Sequence, residues 1–98
     1  MTIVQVSCAS GWKYKDLSVL EDILSDVLQE LARADAKHPP MAEPVEGLYT
    51  LRCEVMELAR EIHRANKNPV DTRRESIQVA AMALKFLRDC CPQTVKED

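Results

Sequence analysis

Leu48, Leu51, Val55, Leu58 and Ile62 succeed one another at spacings of three and four residues, and this line constrains the chain more than any other feature. Such spacing puts one apolar stripe along a helix and suits it to an antiparallel neighbour. A turn at Asn66–Pro69 follows at once, and a second apolar series, Ile77, Ala80, Ala81, Leu84 and Leu87, runs on to about Cys90. The pattern predicts a helical hairpin with helices over 45–66 and 70–91. Asp71 or Thr72 is expected to cap the second of them, and Pro92 to stop it.

An earlier helix is expected over 18–37. Leu20, Ile23, Leu24, Val27, Leu28 and Leu31 supply its stripe, Asp16 or Ser18 its cap, and Glu21 closes a capping box with Ser18. His38, Pro39 and Pro40 end it, and the stretch Met41–Glu46, with Pro44, reads as a connector. Residues 1–16 are an N-terminal arm of open character. Ile3, Val4 and Val6 favour a strand, while Ser10–Gly11 breaks the pattern, so a short strand, an exchanged arm or a frayed tail all fit. Trp12 and Tyr14 are expected to pack on the body or on a neighbouring subunit, and residues 92–98 to form a flexible tail.

The expected architecture is therefore all-α, about three helices in one domain over 17–91. With 98 residues the chain has one core at most. Two glycines and an abundance of Ala, Leu, Glu, Lys and Arg suit helices. Val79, Met82 and Phe86 fall off the Ala80–Leu84–Leu87 line, which leaves more apolar surface than one three-helix unit hides. The bundle is expected to be completed by oligomerisation, as a homodimer or homotetramer.

A net charge of -3 disfavours binding to nucleic acid polymers. No apolar run reaches the roughly 20 residues that span a bilayer, and no charged-then-apolar leader opens the sequence. No membrane partner and a cytoplasmic location are expected. Cys8, Cys53, Cys90 and Cys91 form no CxxC pair and have no zinc-like spacing to a histidine, so they read as reduced thiols.

Carboxylates carry the chemistry of this sequence. Glu54, Glu57 and Glu61 recur at i, i+3 and i+7 on one helix, and Glu75 lies on the next. If the turn centres between Lys67 and Asn68, Glu57 comes level with Gln78, and Glu61 nearly level with Glu75. Carboxylates meeting across a helix pair are a means of holding Mg²⁺, which takes oxygen ligands. The same spacing also fits a solvated face, with Arg60 pairing to Glu57 and Arg64 to Glu61. Lys37, Arg73, Arg74, Lys85 and Arg88 are candidate phosphate contacts. His38 reads as a helix-end residue, His63 as surface, and Asp89 as an exposed carboxylate.

The stretch from Glu46-Gly47 to Glu54-Val-Met-Glu57-Leu58, followed by Glu75-Ser-Ile-Gln78-Val-Ala-Ala-Met-Ala-Leu, resembles the all-α nucleoside triphosphate pyrophosphohydrolases of the MazG-like superfamily. Arg33-Ala-Asp-Ala-Lys37-His38 resembles a segment of its small phage- and integron-type members. The likeness covers roughly residues 18–90. The family signature is Glu-Glu-x-x-Glu followed by Glu-x-x-Asp, and this sequence departs from it at Cys53 and Gln78.

The resemblance implies Mg²⁺-dependent hydrolysis, with Mn²⁺ as a substitute, of a (deoxy)nucleoside triphosphate to monophosphate and pyrophosphate. It places metal ligands at Glu54, Glu57 and Glu75, and a hydrogen-bonding role at Gln78, where the family has an acid. Glu61 is expected to add a ligand or orient the attacking water. Lys37, Arg74 and Lys85 are the expected phosphate contacts, with the base in an apolar slot partly lined by the first helix of the same or another subunit. The alternative is a non-catalytic oligomeric helical module with a degenerate metal site.

Overall fold

The computed structural model describes residues 17–64 and 68–91. These form three α-helices, α1 (Leu17–Lys37), α2 (Pro44–Ile62) and α3 (Pro69–Cys90), with no strand among the described residues. The expected N-terminal arm, Trp12, Tyr14, Cys8 and the expected C-terminal tail lie outside them.

One of the expected helix limits moves by more than a residue. α2 ends at Ile62, four residues short of Asn66, with His63 as its C-cap. There the ladder tightens: the His63 N–H donates to Ala59 O at 3.1 Å and the Arg64 N–H to Glu61 O at 3.3 Å. The connection into Pro69 also forces Asn68 into an extended conformation, φ -118° and ψ 114°.

Asn68, not Asp71 or Thr72, caps α3. Its Oδ1 accepts from the Val70 N–H at 2.9 Å, and Pro69 takes the first helical position, where a missing N–H is harmless. Pro44 does the same for α2, so this residue of the expected connector is already helical. Ser18 lies inside α1, which leaves the cap of that helix outside the described residues.

α3 is the central element. Both α1 and α2 pack on it, and α1 and α2 make no comparable contact with each other. The register follows from residue size. Ala81, wholly inaccessible to solvent, lets helices approach α3 closely. Gly47 does so on α2: a Cβ there would lie 2.8 Å from Phe86 Cδ2, 3.0 Å from Met41 Sδ and 3.2 Å from Cys90 Sγ. Met41 is buried in this junction, and its N–H donates to Asp89 Oδ2 at 2.9 Å. Asp89, expected as a plain exposed carboxylate, is therefore half-buried and structural, and Arg88 Nε also binds it at 2.8 Å. Those hydrogen bonds hold its carboxyl below the usual carboxylate range.

Arginines tie α1 to α3. Arg73 reaches Asp26 at 2.7 Å, and Arg88 grips Asp35 through two bonds of 2.8 and 2.9 Å, pulling the Asp35 carboxyl down to about 2. The apolar interior is thin. Val27, Met41 and Ala81 are its buried members among the described residues, whereas Leu87, expected inside, is 57% exposed. Leu48, Val55 and Ile62, alternate members of the α2 stripe, are 51%, 47% and 44% exposed. Leu51 and Leu58 of the same stripe are half-buried.

The Gly47 junction sets a testable limit. Gly47→Ala gains helix propensity, yet its methyl must displace the Phe86 ring and the buried Met41 sulfur. Overpacking of this kind costs about 1–3 kcal/mol, so the variant should melt below wild type. An unchanged or higher melting temperature would show that the junction yields freely.

Candidate metal centre

α2 and α3 bring acidic groups together near the turn end of the hairpin. One carboxylate oxygen from each of Glu54, Glu57 and Glu75 lies within 4.8 Å of the others. Glu54 and Glu57 stand three apart on α2 and share a face; Glu75 meets them from α3. Glu75 therefore pairs with Glu54 and Glu57 rather than with Glu61, a register that accompanies the early end of α2.

The electrostatics of this group are unfavourable in the absence of a counter-charge. Glu54 Oε2 and Glu75 Oε2 are shielded from solvent and accept no hydrogen bond. Burial is the main cause that pushes the Glu54 carboxyl above its ordinary value, and the charges of Glu57, Glu75 and Glu30 add to it. Glu54 thus combines a shielded, unpartnered oxygen with a raised proton affinity, the response of a carboxylate crowded by like charge.

Glu61 stands apart from this trio. Its Oε2 accepts from Arg64 Nη1 at 3.1 Å, while its Oε1 is shielded and unpartnered. The Glu61–Arg64 pair is thus the helix-surface pairing that the spacing allowed, although the glutamate itself is buried.

Glu54 also lines a cavity of about 460 Å³ between α1, α2 and α3, a volume suited to a small molecule. Gln78, Met82 and Lys85 of α3 line it as well, opposite Glu46 and Thr50 of α2. α1 contributes Glu30, Arg33 and Lys37, and His38 follows just beyond its end. Glu54 thus belongs both to the acidic trio and to the cavity wall.

The expected basic contacts divide. Lys37 and Lys85 line the cavity. Arg74 does not; it pairs with Asp71 at 2.8 Å. Arg73 and Arg88 serve the α1–α3 contact. His38 is the helix-end residue expected, with its N–H donating to Ala34 O at 2.9 Å, and it lines the cavity. His63 is the exposed C-cap of α2.

Two residues escaped sequence reasoning. Glu30 raises the proton affinity of Glu54 from α1 while its own carboxylate binds Arg33 Nε at 3.0 Å. Asp35 holds both Arg88 and Lys85. No spacing signal could have found either one. The α1–α3 register is set by a long connection, and hairpin arithmetic does not extend across it.

Searches against family models, curated proteins and solved structures found no match.

The raised Glu54 carboxyl gives a signed prediction. Between its ordinary value and its raised one the folded protein binds more protons than the unfolded chain, so stability falls as pH rises through that window. At neutral pH an ionised Glu54 therefore weakens the metal-free fold. Glu54→Gln should raise the melting temperature in EDTA at neutral pH by several degrees and cancel any rise given by Mg²⁺ or Mn²⁺. A lower melting temperature in EDTA would contradict the repulsion argued here.

Proposed function

We propose that this protein is a divalent-cation-dependent hydrolase that converts a nucleoside triphosphate to the monophosphate and pyrophosphate, as the MazG-like resemblance of its glutamate segments implies. The convergence of Glu54, Glu57 and Glu75 from two helices carries this reading. The residues suit the ion: every donor is a carboxylate oxygen, and two of the oxygens are shielded without a partner.

Glu54, Glu57 and Glu75 would hold Mg²⁺ or Mn²⁺, which when bound offsets phosphate charge and lowers the pKa of a coordinated water. Hydrolysis joins a water oxygen to the α-phosphorus and breaks its bond to the bridging oxygen, so pyrophosphate departs. The glutamates fix this centre at the wall of the cavity through Glu54, and the cavity takes the nucleotide. Gln78, neutral where the family pattern has an acid, lines the same cavity, from which its amide can hydrogen-bond a phosphate or a coordinated water. The lower site charge favours a single ion over a pair.

The reading includes a homodimer or homotetramer. Leu48, Val55 and Ile62 line up along α2 at seven-residue intervals, and Val19, Ile23, Leu24 and Leu28 of α1 are also exposed. A core this thin gains by burying them against a second copy.

Two measurements test the proposal. Calorimetric titration with Mn²⁺ should show binding that Glu57→Gln abolishes while the helical circular dichroism persists, and pyrophosphate release over a nucleotide panel should depend on the metal. Absence of both binding and turnover would leave a helical interaction module as the function. For the assembly, Val55→Glu should shift the sedimentation of the protein to that of a monomer; a wild-type monomer would refute the dimer.

A further inference from the structure

Sulfur gathers at the end of the hairpin remote from its turn. Gly47 carries no Cβ, and the place a Cβ would take lies 3.0 Å from Met41 Sδ and 3.2 Å from Cys90 Sγ. Both sulfurs therefore face one point. A single ion with metal–sulfur bonds of about 2.3 Å can bridge them after a small side-chain movement, which the unbranched Met41 allows. Cys91 follows directly at the C-cap of α3, and both thiols are free and half-buried. Adjacent Cα atoms stand only about 3.8 Å apart, short of the usual span of a disulfide. An ion between two such thiols lengthens the bridge by two metal–sulfur bonds and removes that conflict.

The surroundings suit a soft cation. Burial, then the charges of Asp89, Cys91 and Glu46, push the Cys90 thiol up. Negative charge that resists a bare thiolate favours one whose charge a bound cation offsets. The Cys90 S–H donates to Met41 O at 4.0 Å, a weak tether that a metal bond can replace. Phe86 Cδ2 closes the place beside Gly47 at 2.8 Å, and Met41 is buried, so this side of the junction is dry and apolar. Ligand softness then selects the ion. Thiolate and thioether together suit Cu(I), whereas Mg²⁺ takes oxygen and Zn²⁺ takes thiolate, imidazole or carboxylate.

We propose that Cys90, Cys91 and Met41 form a soft-metal site that binds one Cu(I) ion between the end of α3 and the connector leading into α2. Binding breaks the two S–H bonds, forms two copper–sulfur bonds and releases two protons, while the Met41 sulfur donates a lone pair. Copper enters and stays as Cu(I), so no electron is exchanged. The site stands apart from the glutamate trio and does not rest on the hydrolase reading. Its ion adds a second fastening of Met41 to α3, beside the bond from the Met41 N–H to Asp89.

Cu(I) titrated anaerobically into the full chain, against a chromophoric Cu(I) chelator and with a thiol-free reductant present, tests the site. One ion per chain should bind, with ultraviolet thiolate-to-copper absorption, X-ray absorption that shows sulfur neighbours, and a raised melting temperature. Cys91→Ser, at the end of the helix, should remove the binding. Met41→Leu, close in volume, should weaken it about tenfold, the order by which metal sites respond to loss of a supporting group. Cys8→Ser and Cys53→Ser should leave it unchanged. Circular dichroism reports the fold of each variant, and the wild-type titration stands whatever the variants do.

Failure of wild type to bind Cu(I), or binding that survives in a folded Cys91→Ser, overturns the site. So does loss of binding in Cys8→Ser or Cys53→Ser, or an affinity that Met41→Leu leaves unchanged. Mg²⁺ or Mn²⁺ binding at the glutamates is a separate result, read with oxygen-bound ions.

Discussion

The meeting of Glu54, Glu57 and Glu75 across α2 and α3 is the constraint on which the proposed function depends. Three carboxylates within one another's reach, two of them with shielded and unpartnered oxygens, detract from folding unless a positive charge joins them. Glu57 is the exposed member of the trio, so the loss of hydration falls on Glu54 and Glu75. The protein accepts that cost at the point where its hairpin borders a cavity. The remainder of the fold offsets it through the close Gly47–Phe86 packing and the arginine clasps from α3 to α1.

α3 concentrates the design. One part of its surface meets α2 and carries Glu75 into the acidic trio; another meets α1 through Arg73 and Arg88. Gln78, Met82 and Lys85 line the groove. This one helix sets a neutral amide in the groove wall and a buried ammonium seven residues on, in a groove that Glu30 and Glu46 also line. The same thinness that opens the groove leaves apolar residues of α1 and α2 in solvent. The cavity and the exposed apolar faces are thus two consequences of three helices that form an open layer around α3 and leave no large side chain fully buried among the described residues.

Much of this was legible in the sequence because it depends on local periodicity. The stripes of α1, α2 and α3 and the hairpin between α2 and α3 follow from three-and-four spacing and from proline positions, and Glu54 and Glu57 had to share a face. What depended on the exact length of the turn was not legible. Asn68 takes the cap because Pro69 can start a helix, and α2 stops at Ile62, so Glu75 meets Glu54 and Glu57 and leaves Glu61 with Arg64. What depended on how α1 and the connector after it settle on the hairpin was invisible: Glu30 beside Glu54, Asp35 beside Lys85 and Arg88, and Asp89 bound to the Met41 N–H. No short turn fixes that register, and charged residues on α1 look alike before their partners are known.

The central claim is that one divalent ion completes the glutamate cluster, and the most direct test is anomalous diffraction from crystals soaked in Mn²⁺. The account predicts a single strong anomalous peak bounded by carboxylate oxygens of Glu54, Glu57 and Glu75. A map with no peak there, or with Mn²⁺ held by other residues while these three side chains turn to solvent, would contradict it.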